Sequence, residues 1–326
     1  MLQKRTRPQR GVRAKRSRAP LLLMLLCGCF LLLQGRLYGL TPSLYRGVLG
    51  AQLPLVYSVQ PTPTPTPVPP VQADIDEGVG ESFRMELVRI QRREHVDLSG
   101  ETPRILVYHT HATEAYSQTP ASMYEESGAW RTAEAEKSVL AVGERLASQL
   151  RDVYGLSVIH DTTNHEPPKL ATSYSRSVET MLAYQTQYPS ISMFIDVHRD
   201  AYGSDEGKTD YLIIDGKEVA RVMFVVGTGE GATGSGFAQM PDFESNYALA
   251  AAVSEKLQGF DARLARDIRV KTGRYNQHVS DQCLLAEVGH NMNTLEQALN
   301  AADYLAAAIA DVAGVKKAPR GADWVP

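Results

Sequence analysis

The chain has 326 residues, with 34 Lys and Arg against 37 Asp and Glu, so its formal net charge is −3. This length is enough for one large domain with accessory segments. The basic residues are unevenly placed: residues 1–18 hold eight Lys and Arg, and the first acidic residue is Asp74. Because binding to a phosphate backbone needs a basic face, the acidic remainder argues against nucleic-acid binding by the folded part.

The N-terminal segment combines a basic head with an apolar run. Residues 21–33 are almost entirely apolar and follow the basic residues directly. A positive segment before such a run is typical of export signals, and snorkelling of Arg36 would extend the span to residue 40. We therefore expect a cytoplasmic head at 1–20 and a retained signal anchor at 21–40. The rest of the chain is then expected on the extracytoplasmic side of the cell membrane.

A proline-rich stretch separates this anchor from the rest. Residues 61–70 read Pro-Thr-Pro-Thr-Pro-Thr-Pro-Val-Pro-Pro, which predicts an extended polyproline II rod. We assign 41–102 to a spacer and lead-in, 103–315 to the catalytic domain and 316–326 to a tail. Cys283 is the only cysteine after the anchor, so it has no disulfide partner there and is expected to be a buried, inert thiol.

Apolar periodicity predicts strands that alternate with helices. A hairpin is expected at Tyr211–Val226, with its turn at Asp215-Gly216-Lys217, and Thr294 with Gln297 forms a capping-box pattern. The expected strands are 104–109, 156–159, 191–198, 268–270 and 284–288, and the expected helices are one within 81–100, then 134–152, 172–188, 246–257 and 294–312. This order predicts an α/β fold, a three-layer sandwich with a mostly parallel or mixed central sheet.

Residues that can bind a metal or transfer a proton lie near the ends of three of these strands. His109, His111 and Glu114 follow the first, His198 ends another, and Glu287 lies in the last. Ligands bind at the carboxyl ends of strands in open α/β sheets. Two imidazoles and a carboxylate are a common ligand set for catalytic zinc, and a further carboxylate commonly serves as general base. The pattern therefore predicts a metal hydrolase with Zn²⁺ on His111, His198 and Glu114.

Two of these ligand assignments have alternatives. Alternation along an extended chain points His109 and His111 to the same side, so either one is a candidate ligand, and the other, His109 in the preferred assignment, is expected to hold a carboxylate or the substrate. Glu136, at the start of a predicted helix, competes with Glu114, which proximity to the histidines favours.

Supporting roles are predicted for several further residues. Asp196 is expected to orient a ligand. Arg199 is expected either to hold a substrate carboxylate or to pair with Asp200. Asn246 and Asn276 are weaker candidates for contacting the substrate. The apolar neighbours of Glu287 should raise its pKa toward the value that a general base needs, unless it forms a buried ion pair.

Four segments carry a resemblance to a known family: Ile105 to Tyr116, Asp196 to Ala201, Tyr275 to Gln277 and Leu284 to Ala298. They resemble the stage II sporulation protein P family over about residues 100–313. The last segment also resembles the end of the zinc N-acetylmuramoyl-L-alanine amidases, which implies a catalytic role for Glu287. The resemblance implies zinc roles for His198 and for one of His109 and His111.

The resemblance implies a zinc-dependent peptidoglycan hydrolase of sporulation, acting during engulfment. Such a protein cleaves stem peptides from glycan strands and also cuts cross-links, alongside stage II sporulation proteins D and M. Two rival functions stay open: a non-catalytic wall-binding scaffold, and a zinc carboxypeptidase that trims free stem peptides.

Overall fold

The computed structural model describes residues 71–87, 90, 93, 95–201, 210–232 and 236–317. The predicted head, anchor and proline-rich rod lie outside these residues, as does the tail from 318 onward. Within the described ranges, no helix is both long enough and apolar enough to span a bilayer.

Nine strands and five α-helices are assigned in the described residues. The strands are β1 (Ala73–Ile75), β2 (Ile105–Tyr108), β3 (Val158–His160), β4 (Met193–Asp200), β5 (Tyr211–Ile214), β6 (Lys217–Ala220), β7 (Val222–Gly227), β8 (Ile268–Lys271) and β9 (Cys283–His290). The α-helices are α1 (Glu81–Leu87), α2 (Val139–Ser148), α3 (Ser173–Gln187), α4 (Phe243–Gln258) and α5 (Leu295–Val312).

The central sheet has seven strands in the order β1-β8-β7-β9-β4-β2-β3. Strands β3, β2, β4 and β9 run parallel to one another, and β7 is antiparallel to β9. Strands β8 and β1 then run parallel to β7. The mixed sheet expected from the sequence is confirmed. Its consequence is that the carboxyl ends of β2, β4 and β9 meet at one edge.

Helices cover both faces of this sheet. Alternate residues of the central strands face opposite layers. Val107 and Val197 belong to a buried core shared with α2, α4 and α5, whereas Leu106 and Phe194 pack with Met181 of α3. Strands buried on both faces read as continuous apolar runs, which explains why β2 is entirely buried. The three layers are those predicted.

Helix α5 begins where the sequence predicted. Thr294 Oγ1 accepts a hydrogen bond from the Gln297 N–H at 3.2 Å, and Gln297 Oε1 accepts one from the Thr294 N–H at 3.1 Å. Helix α2 is shorter than the predicted 134–152. A 3₁₀ turn covers Ala135–Lys137, Ser138 caps α2 by accepting from the Leu140 N–H, and a π turn follows at Gln149–Val153.

The predicted hairpin forms but ends early. Asp215 and Gly216 have φ values of 52° and 76°, as a type I′ turn requires, and join β5 to β6. Strand β6 stops at Ala220, and the chain enters the central sheet at Val222 as β7. The apolar run Val219–Val226 is therefore two strands, because each part is buried in a different sheet.

Segments before the boundary expected at residue 103 pack on the folded domain. Strand β1 pairs with β8 at the edge of the sheet, and the side chains of Val96 and Leu98 are buried in the main core. Residues of β1, Val96 and Leu98 therefore pack with the expected catalytic domain, and the boundary at residue 103 stays a prediction. Cys283 is buried as expected, and burial raises the pKa of its thiol to about 12.

The cap of α5 gives a test of this account. Replacing Thr294 with Ala removes the acceptor for the Gln297 N–H, so we expect a loss of about 1 kcal/mol in the free energy of unfolding. Thr186→Ala is the matched control, since Thr186 is exposed in α3 and donates to the Leu182 carbonyl. Urea denaturation of the full chain measures both. Equal effects of the two substitutions would contradict the capping role.

Candidate active site

Four side chains meet where β2, β4 and β9 end; we call them the histidine–glutamate cluster, formed by His111, Glu114, His198 and Glu287. His198 and Glu287 are register partners on adjacent parallel strands, so their side chains share a face of the sheet. The loop after β2 carries Glu114 to the same place, where its Oε2 lies 3.3 Å from His198 Nδ1. Residues distant in sequence therefore form one buried polar group.

Asp196 determines how the His198 ring is oriented. Its Oδ1 lies 3.0 Å from His198 Nε2, which leaves Nδ1 facing Glu114. Asp196 itself accepts hydrogen bonds from the N–H and the hydroxyl of Thr110, at 2.8 and 2.6 Å. Burial alone would lower the pKa of His198, but the charges of Asp196 and Glu114 raise it well above its ordinary value.

Glu114 is held by its own loop and by Arg199. The Arg199 N–H donates to Glu114 Oε2 at 3.2 Å, and the Arg199 guanidinium donates to the carbonyls of Ala115 and Trp130 at 2.8 and 2.9 Å. Burial opposes ionisation of Glu114, yet His198 and Arg199 lower its pKa to about 2. The carboxylate is therefore charged and fixed at neutral pH.

His111 lies against His198 and an aromatic residue that the sequence did not single out. Its ring centroid is 5.4 Å from that of His198 and 5.8 Å from that of Tyr174. His111 Nδ1 is 3.6 Å from Glu166 Oε1 and is buried, with no hydrogen-bond partner in the part of the chain that the structure describes. Arg131 in turn pairs with Glu166 at 2.5 Å. No local pattern relates residues 131, 166 and 174 to residue 111, so sequence reasoning missed them.

Glu287 has the environment of a proton-transfer group. Burial raises its pKa to about 8; the charge of His198 opposes this shift and that of Glu114 adds to it. Its Oε2 is buried and has no hydrogen-bond partner among the described residues. General acids and bases work best when their pKa lies near the working pH.

His109 faces away from the cluster. Its Nδ1 bonds the Val197 carbonyl and its Nε2 lies against His160 Nε2, both at 2.9 Å. Burial, with His160, lowers the pKa of His109 to about 3. The expectation that His109 and His111 point to the same side is wrong, because the chain turns at residues 110–113 and alternation ends there. Glu136 is exposed in the 3₁₀ turn, whereas Glu114 is buried in the cluster.

Three predicted substrate-binding residues instead hold the fold. The Arg199 guanidinium is buried and donates to backbone carbonyls, and the Asp200 carboxylate pairs instead with Arg266. Asn246 bonds the Gln277 carbonyl and the Cys283 N–H, at 3.0 and 2.8 Å. Asn276 donates to the Tyr174 carbonyl at 2.8 Å. Buried polar groups satisfied in this way position loops and strands.

The donor types of the cluster suit zinc. No group of three or more His, Cys, Asp or Glu side chains in the described ranges is already spaced to hold a metal ion. However, His198 Nδ1 and Glu114 Oε2 are 3.3 Å apart. Two ligands each about 2.0–2.1 Å from a tetrahedral zinc are themselves about 3.3–3.4 Å apart. His111, with its unpartnered Nδ1, could complete such a site by a rotation of its side chain.

The chain belongs to the stage II sporulation protein P family, whose sequence profile matches residues 70–310. Stage II sporulation protein P of Bacillus subtilis (strain 168) is 28% identical over 222 residues, which are 63% of this chain and 50% of that protein. The match thus spans half the length of that relative. The family resemblance drawn from the sequence is confirmed.

Solved structures similar to this chain include amidases. The N-acetylmuramoyl-L-alanine amidase AmiC2 of Nostoc punctiforme is 16% identical, with a TM-score of 0.37, over 66% of this chain and 97% of that one. The catalytic domain of the amidase CwlV from Bacillus (Paenibacillus) polymyxa var. colistinus is 16% identical, with a TM-score of 0.38, over 64% and 95%. TM-scores this low support no conclusion about fold or chemistry.

The direction of the His109 ring can be tested at Gly143. A Cβ at Gly143 would lie 2.4 Å from His109 Nε2 and 2.8 Å from His160 Nε2. Replacing a helix-interior glycine with alanine ordinarily stabilises by about 1 kcal/mol. Here we expect Gly143→Ala to destabilise by about 1–3 kcal/mol, through overpacking.

The control is Ala183→Gly, at an exposed position of α3 where the side chain is not packed. It measures the difference in helix propensity alone and should lower the free energy of unfolding by about 1 kcal/mol. Denaturant unfolding of the full chain provides both values. A gain in stability for Gly143→Ala would mean that His109 points elsewhere.

Proposed function

We propose that the protein is a zinc-dependent peptidoglycan hydrolase that cleaves the amide between N-acetylmuramic acid and L-alanine of the stem peptide. The observation that carries this proposal is Glu287, a half-buried residue whose Oε2 is buried and whose pKa is raised to about 8, beside the His198–Glu114 pair. Membership of the stage II sporulation protein P family supports the wall as substrate. The reaction class follows from a proton-transfer carboxyl adjoining a zinc-type donor set.

His111, Glu114 and His198 would hold the zinc. Asp196 lies against His198 Nε2, so Nδ1 is the atom of His198 that would bind the zinc. This is the usual carboxylate–histidine arrangement around zinc. Arg199 keeps the Glu114 carboxylate in place through the backbone of its loop. A zinc ion bound there supplies Lewis acidity and lowers the pKa of a water toward 7.

Glu287 moves the proton. Its carboxylate takes a proton from the water as the water oxygen attacks the lactyl carbonyl carbon. It then returns that proton to the nitrogen of L-alanine as the carbon–nitrogen bond breaks, which leaves a free lactyl carboxyl and a free amine. A pKa raised by burial suits a group that must both accept and release a proton.

We also propose a setting for this reaction. The family resemblance supports an extracytoplasmic domain at the engulfing membranes, on an anchor formed by residues 21–40. It also supports action alongside stage II sporulation proteins D and M, and additional cleavage of peptide cross-links.

The role of Glu287 is tested by Glu287→Gln in the full chain. The amide cannot accept the proton, so we expect release of products from purified peptidoglycan to fall at least about 100-fold, with bound zinc retained. Glu136→Gln, at an exposed site, should keep full activity. Mass spectrometry of the products, with zinc and with chelator, provides the measurement.

The products also separate the rival functions. Glycan with free lactyl groups identifies the amidase. Shortened peptides on otherwise intact muropeptides would identify a carboxypeptidase. No release by the unchanged chain, even with a lytic transglycosylase present, would identify a wall-binding scaffold and overturn the proposal.

Metal binding is tested independently of turnover. Glu114→Gln removes a charged ligand, so zinc retained after equilibrium dialysis should fall from about one equivalent to near zero. Asp196→Asn leaves the ligands but weakens their orientation, and zinc affinity should fall about 10–100-fold. If Glu136→Gln lost zinc and Glu114→Gln kept it, the carboxylate ligand would be Glu136.

A further inference from the structure

A groove of about 500 Å³ lies beside the histidine–glutamate cluster. It runs between the start of α3, the segment after β8 and four described residues after β7, namely Gly231, Ala232, Gly236 and Phe237. Its walls include Tyr174, Val178, Gly231, Phe237, Arg274 and Tyr275. We call it the tyrosine groove. None of its residues has a role in the proton transfer described above.

The tyrosine groove adjoins the cluster at Tyr174. The Tyr174 ring lies nearly parallel to that of His198, at 14° with centroids 6.5 Å apart. On its other side Tyr174 meets Tyr275 edge to face, with centroids 5.6 Å apart. Tyr174 therefore belongs both to the groove wall and to the surroundings of His198, which places the groove next to the cluster.

The backbone adopts an uncommon conformation to place the Tyr275 ring. Tyr275 and Asn276 have φ values of 47° and 54°, which bulky residues such as tyrosine rarely adopt. The ring lies against Gly273 and Gly227, where an added Cβ would be 2.6 and 2.8 Å from it. Such strain persists only where surrounding contacts enforce it, and it is concentrated at ligand sites. Here the Asn276 amide supplies such a contact, by donating to the Tyr174 carbonyl.

The lining of the groove suits an uncharged ligand. Its charged residues are one acid, Glu179, and one base, Arg274. The Arg274 guanidinium lies 4.5 Å over the Phe237 ring and donates to the carbonyls of Gly236 and Gln239, at 3.1 and 3.2 Å. The cation is thus already engaged, and apart from Glu179 the rest of the lining is aromatic rings, apolar or small residues and uncharged polar side chains.

We propose that the tyrosine groove binds a pyranose ring of the glycan strand next to the scissile amide. The face of an aromatic ring carries partial negative charge and attracts the C–H groups of a sugar ring. The hydroxyls of the sugar remain free for polar contacts. A glycan with amidated lactyl groups is uncharged, whereas a stem peptide carries carboxylates, and Arg274, the one basic residue in the lining, is already bound by the Phe237 ring and two carbonyls. This proposal rests on the proposed function, because it takes the wall glycan as substrate.

The test measures binding without turnover. Calorimetric titration of the full-length Glu287→Gln chain uses chitotetraose, an uncharged pyranose oligomer, and separately a stem tetrapeptide. Phe237→Leu keeps apolar volume but removes the aromatic face, and should weaken chitotetraose binding about fivefold. Tyr275→Phe keeps the ring and should bind as well as the parent. Phe260→Leu, at an exposed aromatic side chain outside the groove lining, should change nothing.

Three results would overturn the sugar site: no chitotetraose binding at millimolar concentration, equal weakening by Phe260→Leu and Phe237→Leu, or tetrapeptide binding that Phe237→Leu weakens. In the otherwise unchanged chain acting on peptidoglycan, Phe237→Leu should raise KM about fivefold and leave kcat unchanged. A chain that binds chitotetraose but releases no products would overturn only the hydrolase function. Hydrolysis of peptidoglycan by a chain that does not bind chitotetraose would overturn only the proposed sugar site.

Discussion

Placing two ionised carboxylates around one buried imidazole is the constraint on which this site depends. Asp196 lies inside a central strand and is 1% exposed, so its charge is tolerated only because Thr110 donates two hydrogen bonds to it and His198 lies beside it. Glu114 approaches the same ring from a loop whose backbone Arg199 holds. Removing any one partner would leave a buried charge uncompensated, so β2, β4 and the loop must fold together.

The reversal of strand direction between β9 and β7 explains why the site lies where it does. The carboxyl ends of β2, β4 and β9 lie at one edge of the sheet. Because β7 is antiparallel to β9, its amino end lies at that edge. This arrangement brings together the polar residues that follow β2 and those near the ends of β4 and β9. The apolar core beneath them stays continuous. Crevices at the carboxyl ends of strands bind ligands in open α/β sheets generally.

Periodicity was enough to predict α3 and α5, because each buries a regular apolar stripe, and continuous apolar runs were enough to predict β2, β4 and β9. The placement of His198 and Glu287 at one edge also followed from strand ends. The choice between His109 and His111 did not, since it depends on a turn at Thr110 that breaks alternation. Glu166 and Tyr174 contact His111 from segments distant in the sequence, so no local sequence pattern predicts these contacts. Strand β1 was missed because its three residues, none of them fully buried, carry too little periodicity.

The two outermost strands of the central sheet, β1 and β3, share one property: each is three residues long. An edge strand offers unpaired N–H and C=O groups to any other chain that adopts an extended conformation, and a longer edge offers more of them. Edges this short leave little template for intermolecular β-pairing. The fold therefore limits self-association along its sheet by geometry, independently of surface charge.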